Sequence, residues 1–279
     1  MRRTIGLAGV LLAAWIVPAA ADMVEDCTNE SDVQRKIEGC TAMIDAGTWS
    51  GADLAVIHAH RCWAYNASGQ SELALADCDQ VVTLAPDAGH AYVGRGNAYA
   101  TLGQLERAIQ DYDEAISRDP GYVQAYFNRA NARSELGQHE QSIADFDQLL
   151  ALDGVNEGQL ADIRNRRAIA LNWYAWELYT SGRAADGLPV VEEALTVRPT
   201  DAGFIDTRAS ILCALERKPD ALDDFAQVIQ AGGGDWARHY QQTLTELGYR
   251  PGPVDGQWGT NSQNALNEWV QGGCPPPTE

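Results

Sequence analysis

Residues 89–122 read GHAYVGRGNAYATLGQLERAIQDYDEAISRDPGY. The stretch predicts two short helices joined at Leu102-Gly103 and ended by Pro120, whose ring cannot continue a helix. It recurs. Gly69, Gly103 and Gly137 are each 34 residues apart, as are Arg61, Arg95 and Arg129, and Asp77, Asp111 and Asp145. Such a fixed period means that one supersecondary unit is stacked several times, because a single unit cannot bury its own apolar face. Gly96 and Ala108 stand where two antiparallel helices would cross most closely, and a large side chain there would force them apart.

The unit resembles the tetratricopeptide repeat. Tyr92, Gly96, Tyr99, Leu102-Gly103, Ala108-Ile109, Tyr112, Ala115 and Pro120 sit at that family's spacing. The resemblance implies an all-α fold, a right-handed solenoid of helical hairpins. Copies fit 55–88, 89–122, 123–156, 168–201 and 202–235, so the solenoid is expected over 55–235. The fourth copy has Gly182 at the turn, with Leu188 and Pro199. The fifth has Ala209, Ala221-Leu222 and Phe225 but carries Glu216 in place of the turn glycine. Eleven extra residues, 157–167, separate the third and fourth copies. They amount to about three helical turns and would prolong the next helix without rotating its apolar face, with Arg164, Arg166 and Arg167 on a projecting basic arm or a solvated helix end. Residues 22–54 are expected to hold one amphipathic helix, a degenerate repeat that caps the stack.

Four copies carry Arg at their seventh position (Arg61, Arg95, Arg129, Arg208) and Asp at their twenty-third (Asp77, Asp111, Asp145, Asp224). The fourth copy has lost both, with Tyr174 and Val190 there instead. Losing one partner alone would strand a charge, so joint loss predicts that the two side chains pair within a hairpin.

Residues 1–21 read as a secretory signal: Arg2 and Arg3, an apolar stretch from Ile5 to Val17, then Ala19-Ala20-Ala21 at a cleavage site. A membrane anchor is the alternative, but the apolar run is short for a bilayer. The predicted location is the periplasm or the exterior of a bacterium, with no membrane insertion once the signal is removed. The chain's net charge is −19, and losing two Arg leaves 18 basic against 39 acidic residues, or −21. Phosphates would repel such a protein, so no nucleic-acid partner is expected. Six cysteines in an exported chain read as disulfides. Cys27 and Cys40 flank one turn, Cys62 and Cys78 lie on the two helices of one hairpin, and Cys213 and Cys274 remain, tying the tail to the last repeat. Buried free thiols are the alternative. No cysteine pair has metal-site spacing and the five His are scattered, so no metal and no cofactor are expected.

After Gly232-Gly233-Gly234, which reads as a break, residues 236–279 resemble the peptidoglycan-binding-like module of bacterial wall enzymes. The matching residues are Leu247-Gly248-Tyr249, Gly252-Pro253-Val254-Asp255-Gly256, Trp258-Gly259, Thr260, Ala265-Leu266 and Trp269. They predict one helix ending at Gly248, a Gly-rich turn in which Asp255 bonds its own backbone, and a second helix capped by Thr260 or Asn261. The resemblance implies sugar contacts through Tyr249, Asp255, Trp258 and Trp269. A tail that only caps the solenoid is the competing reading.

No GxSxG, HExxH, Walker or GxGxxG motif is present. The expected protein is a non-catalytic one that holds a peptide or an envelope partner protein, with peptidoglycan as a second partner of the tail. Its rivals are a pure scaffold and an enzyme with an unrecognised site. The family resemblance puts the second, fifth, ninth and twelfth positions of each repeat in a concave groove. That implies ligand contacts from Trp63 and Asn66, from His90, Val93, Asn97 and Ala100, and from Gln124, Phe127, Asn131 and Ser134. Asn amides suit a peptide backbone, and Trp63 and Phe127 suit apolar side chains.

Overall fold

The computed structural model describes residues 20–28 and 31–274, so residues 1–19 of the expected signal lie outside the described residues. Among the described residues there are 13 helices and no strands. They are α1 (Ala20–Thr28), α2 (Val33–Asp45), α3 (Gly51–Ala67), α4 (Ser71–Leu84), α5 (Gly89–Thr101), α6 (Leu105–Arg118), α7 (Val123–Glu135), α8 (His139–Ala151), α9 (Glu157–Thr180), α10 (Ala184–Val197), α11 (Ala202–Ala214), α12 (Lys218–Glu246) and α13 (Thr260–Gln271). Contacts divide the chain between Gln104 and Leu105 into two compact units.

In the first unit, the N-terminal region holds two helices where one was expected. α1 and α2 form a hairpin joined by a Cys27–Cys40 disulfide. They cross at Gly39, where a Cβ would fall 2.5 Å from the Cys27 backbone nitrogen. The sequence signal for α1 was weak because this helix is only nine residues long. Asp32 caps α2 by accepting the Arg35 amide at 3.0 Å. α3 and α4 are joined by Cys62–Cys78. Gly94 of α5 lies against both sulfurs, 3.2 and 3.4 Å from where its Cβ would be, so a glycine lets α5 approach the bridge.

In the second unit, α7 with α8, α9 with α10 and α11 with the first half of α12 form three hairpins. Each has two small buried residues at the crossing: Ala130 with Ser142, Ala175 with Gly187, and Ala209 with Ala221. The Ser142 hydroxyl donates to the Ala130 carbonyl at 2.8 Å, so even its polar atom serves the crossing. Gly137 and Gly182 turn the chain with φ of 72° and 80°. Glu216 takes the same left-handed turn at φ 58°, a conformation that costs an L-residue more than glycine. The extra residues 157–167 do prolong the next helix: α9 runs for 24 residues from a capping box made by Asn156 and Gln159. No free basic arm results. Arg167 bridges Asp147 and Glu193, each at 2.6 Å, and Arg166 binds Asp162 at 3.0 Å.

The triple glycine is the break expected there, a kink at which the two helical halves of α12 meet. Gly233 leaves helical geometry at φ 61° and ψ −148°, and the helix resumes at once. Gly232 is required there, since a Cβ would overlap the Trp236 ring at 1.8 Å. Leu244, Leu266, Trp269 and Val270 of the tail join the same apolar core as Ile205, Leu212 and Phe225 of the last hairpin. A Cys213–Cys274 disulfide closes it. The second helix of the tail is capped by Gly259, without a side-chain bond, and Thr260 is its first helical residue. In place of the expected cap by Thr260 or Asn261, the turn before this helix is held by Ser262 and Gln241. Buried Gln241 accepts from the amides of Asp255 and Gly256 at 3.1 and 2.9 Å and donates to the Gln257 carbonyl at 3.0 Å. Ser262 donates to the Pro251 carbonyl at 2.8 Å.

Candidate functional site

The repeats place Arg and Asp so that they meet inside hairpins. Arg61 binds Asp77 through two nitrogens at 2.6 and 2.8 Å, Arg129 binds Asp145 at 3.0 and 2.6 Å, and Arg208 binds Asp224 at 2.7 Å twice. This bidentate geometry suits the guanidinium fork. The three carboxylates are buried, and His58 shares Asp77 at 2.8 Å. Arg95 and Asp111 lie in different units. Within its own unit, Arg95 binds Asp79 at 2.9 Å. Asp79 belongs to a second series with Asp113 and Asp147, again 34 residues apart. Asp113 meets Arg129, and Asp147 meets Arg167, where the fourth copy lacks its own Arg. The periodicity carried this second series and sequence reasoning passed over it. These pairs are internal fastenings that hold the hairpins rather than a ligand site.

The candidate site is the outward face of the first helices of the hairpins. In the first unit, Trp63 is 50% exposed, and the Lys36 ammonium lies over its ring at 4.6 Å. Asn66 is not a free groove amide: its nitrogen donates to the Gly94 carbonyl at 2.9 Å and ties α3 to α5. His90 is exposed, Asn97 half-buried, and Val93 buried rather than groove-facing. In the second unit, Gln124 is exposed and donates to Asn128 at 2.7 Å. Phe127 packs edge-on against Phe146 and carries the Arg166 guanidinium at 5.0 Å, and Arg166 also donates to Asn131 at 3.3 Å. Phe127, Asn131 and Arg166 are thus brought together, the last unforeseen as a member of this cluster.

The largest exposed apolar group of this unit was missed altogether. Ile169, Trp173 and Trp176 of α9 are 39%, 52% and 38% exposed. Their spacing of four and three residues puts them on one helical face, and this spacing was the available signal. His139 stacks on Trp173 at 6.2 Å, and burial holds the His139 imidazole below its usual pKa against the raising effect of Glu177. Tyr179 leans on Trp176 at 5.3 Å.

In the tail, Trp269 is 7% exposed and packs on Phe225 at 5.3 Å, so it is core and not a surface contact. Tyr249 is half-buried against the same core. Trp258 is half-buried too, and its indole donates to Gln263 at 3.0 Å. It stands between two open pockets, one of about 390 Å³ with Ile229, Gly233 and Ala237, the other of about 380 Å³ with Pro251, Asp255 and Asn261. The Asp255 carboxylate accepts the Gln257 amide at 2.8 Å, the Asx turn expected there, and this bond lowers its pKa. Among the described residues no group of His, Cys, Asp and Glu is arranged to hold a metal ion, and no helix is long and apolar enough to cross a membrane.

Residues 96–137 match a TPR repeat model and residues 123–156 a tetratricopeptide repeat model, so the chain carries tetratricopeptide repeats. No curated protein matches the chain. Among solved structures, it is similar to YrrB, a TPR protein described with an unusual peptide-binding site, at 16% identity over 70% of this chain and 93% of that one, TM-score 0.53. It is also similar to MamA from Desulfovibrio magneticus RS-1, at 16% identity over 66% and 97%, TM-score 0.47. The TPR2B domain of yeast Sti1, in a complex with pHsp70, is 25% identical over 42% and 94%, TM-score 0.40. The YrrB likeness is one of fold.

Proposed function

We propose that this chain of tetratricopeptide repeats is a non-catalytic interaction protein that holds an extended segment of a partner protein on the outward faces of its first helices. The observation that carries this reading is the exposed stripe of Ile169, Trp173 and Trp176. Large aromatics held at a surface mark contact sites, because their burial yields more than that of any other side chain. Trp63 offers the same kind of surface in the first unit. The peptide-binding site described for YrrB supports the reading by fold analogy only. The signal-like N-terminus and the three disulfides support work in the bacterial periplasm or outside the cell. A photo-crosslinking residue in place of Trp173, with another at Trp63, tests this in the native envelope. A discrete crosslinked protein is expected at one or both. No crosslink from either position would overturn the reading.

For the tail, two roles compete. Trp258 between two pockets favours contact with peptidoglycan, with backbone groups of the Gly252–Gly256 turn beside it. The core shared with the last hairpin favours a cap that binds nothing. Sedimentation with purified peptidoglycan decides between them. Binding lost in a folded Trp258→Ala protein supports the wall role, and no binding by the unmutated chain leaves the cap.

A further inference from the structure

Aromatic rings on the outward faces of this protein are used in one recurring way. Lys36 lies over Trp63, and Arg166 over Phe127. A cation over an aromatic face is attracted by the ring quadrupole, most strongly over Trp. Trp173 differs. His139 stacks on it, its pKa lowered by burial, and half of the Trp173 surface remains open, with no Lys or Arg over it among the described residues. One carboxylate stands beside this ring. Glu177 is one helical turn along α9 from Trp173, is exposed, and its charge reaches His139 on the ring. The Arg183 guanidinium is bound to Asp186 at 2.8 Å and its charge is answered further by Glu140, and Arg133 is bound to Asp145 at 2.8 Å. Ile169 and Trp176 extend the stripe along α9 and carry no charge.

We infer that the open face of Trp173 is a seat for a Lys or Arg side chain of a partner peptide, set beside Glu177, with an apolar neighbour of that residue resting on Ile169 and Trp176. The inference rests on the peptide-holding reading above and names the class of partner: a basic segment with apolar residues next to its charges. Charge complementarity selects this occupant. The whole chain carries a net charge of −19, which would draw a basic segment in and repel an acidic one. Indole face and carboxylate together also favour a cation over a purely apolar segment, which would leave Glu177 without a partner at the rim of the contact.

Fluorescence polarisation on the full chain tests this with three labelled peptides of equal length and equal apolar content, carrying Arg and Lys, Gln, or Glu at alternate positions. The basic peptide should bind best, and its affinity should fall as salt is raised. Trp173→Ala should weaken it by about tenfold and Glu177→Gln by a few-fold, the sizes of a cation–π contact and of one rim charge. Both side chains are exposed, so circular dichroism should show unchanged folding. If the neutral or acidic peptide binds as well as the basic one, the cationic seat is overturned while peptide holding stands. The seat is equally overturned if basic binding ignores both substitutions. If no peptide binds, both fall.

Discussion

Asp145 shows how much one side chain carries in these hairpins. It is 2% exposed and takes bonds from Arg129 and, at 2.8 Å, from Arg133. Asp145→Ala leaves two guanidinium groups without their buried carboxylate, with the exposed Asp113 and the Gln141 carbonyl left to answer them. It should cost about 3–5 kcal/mol. Asp113→Ala removes a partly solvated partner and should cost about 1 kcal/mol or less. Urea unfolding midpoints compare the two, and equal losses would refute the asymmetry. Asp206 behaves oppositely. It accepts the Tyr240 hydroxyl, but burial raises its pKa above 3.8. A carboxyl with a raised folded pKa binds more protons when folded, so stability falls as pH rises from 3.8 through the raised value. Asp206→Asn should therefore stabilise the protein at neutral pH and have little effect below pH 3.8, as thermal unfolding at several pH values would show.

At the scale of elements, the close approach of paired helices rests on side chains that are absent. Gly187 on α10 faces α9, and a Cβ there would stand 2.9 Å from the Ala175 carbonyl oxygen, a backbone atom with little room to move. Gly187→Ala should force α9 and α10 apart and lower stability by about 1–3 kcal/mol, measurable as a lower denaturation midpoint. The same logic explains the kink in α12. Gly232 and Gly233 let the helix turn sharply and bring Trp236 against its own backbone, so the second half of α12 packs beside α11. Tyr240 reaches Asp206, 34 residues earlier, so the tail stands in phase with the repeats that precede it.

For the molecule as a whole, the disulfides fasten segments that have little core of their own. Cys213–Cys274 spans 61 residues and holds the end of the tail to α11. Closing so long a loop restricts the unfolded chain, and replacing both cysteines with Ser should cost about 2–5 kcal/mol. Limited proteolysis should then cut first in the Gly-rich turn before α13. If cutting begins elsewhere and stability is unchanged, the bridge does not hold the tail. The net charge of −19 bears on the proposed partner at this scale too: it would repel nucleic acid and anionic surfaces and would draw in the basic segment proposed for α9.

Repetition made much of the fold legible before any coordinates. A 34-residue period in Gly, Arg and Asp marks turns and fastenings, since each residue type meets a local requirement that recurs with every hairpin: a left-handed φ, a guanidinium fork, a buried carboxylate. Turn glycines and the hairpin pairs Arg61–Asp77, Arg129–Asp145 and Arg208–Asp224 were therefore readable from spacing alone. Burial was not, because it depends on what packs against a face. Val93 and Trp269 carry the letters of contact residues yet lie in cores, and Asn66 spends its amide on Gly94. Trp173 and Trp176 were not singled out from the sequence, although Trp176 holds the ninth position of its copy, and their exposure is decided by the packing of α8 and α9. Gly232-Gly233-Gly234 read as a break, and a break is found at Gly233, but that the chain returns to helix at once beyond it was not legible. Local backbone chemistry is written residue by residue, whereas exposure belongs to the assembled surface.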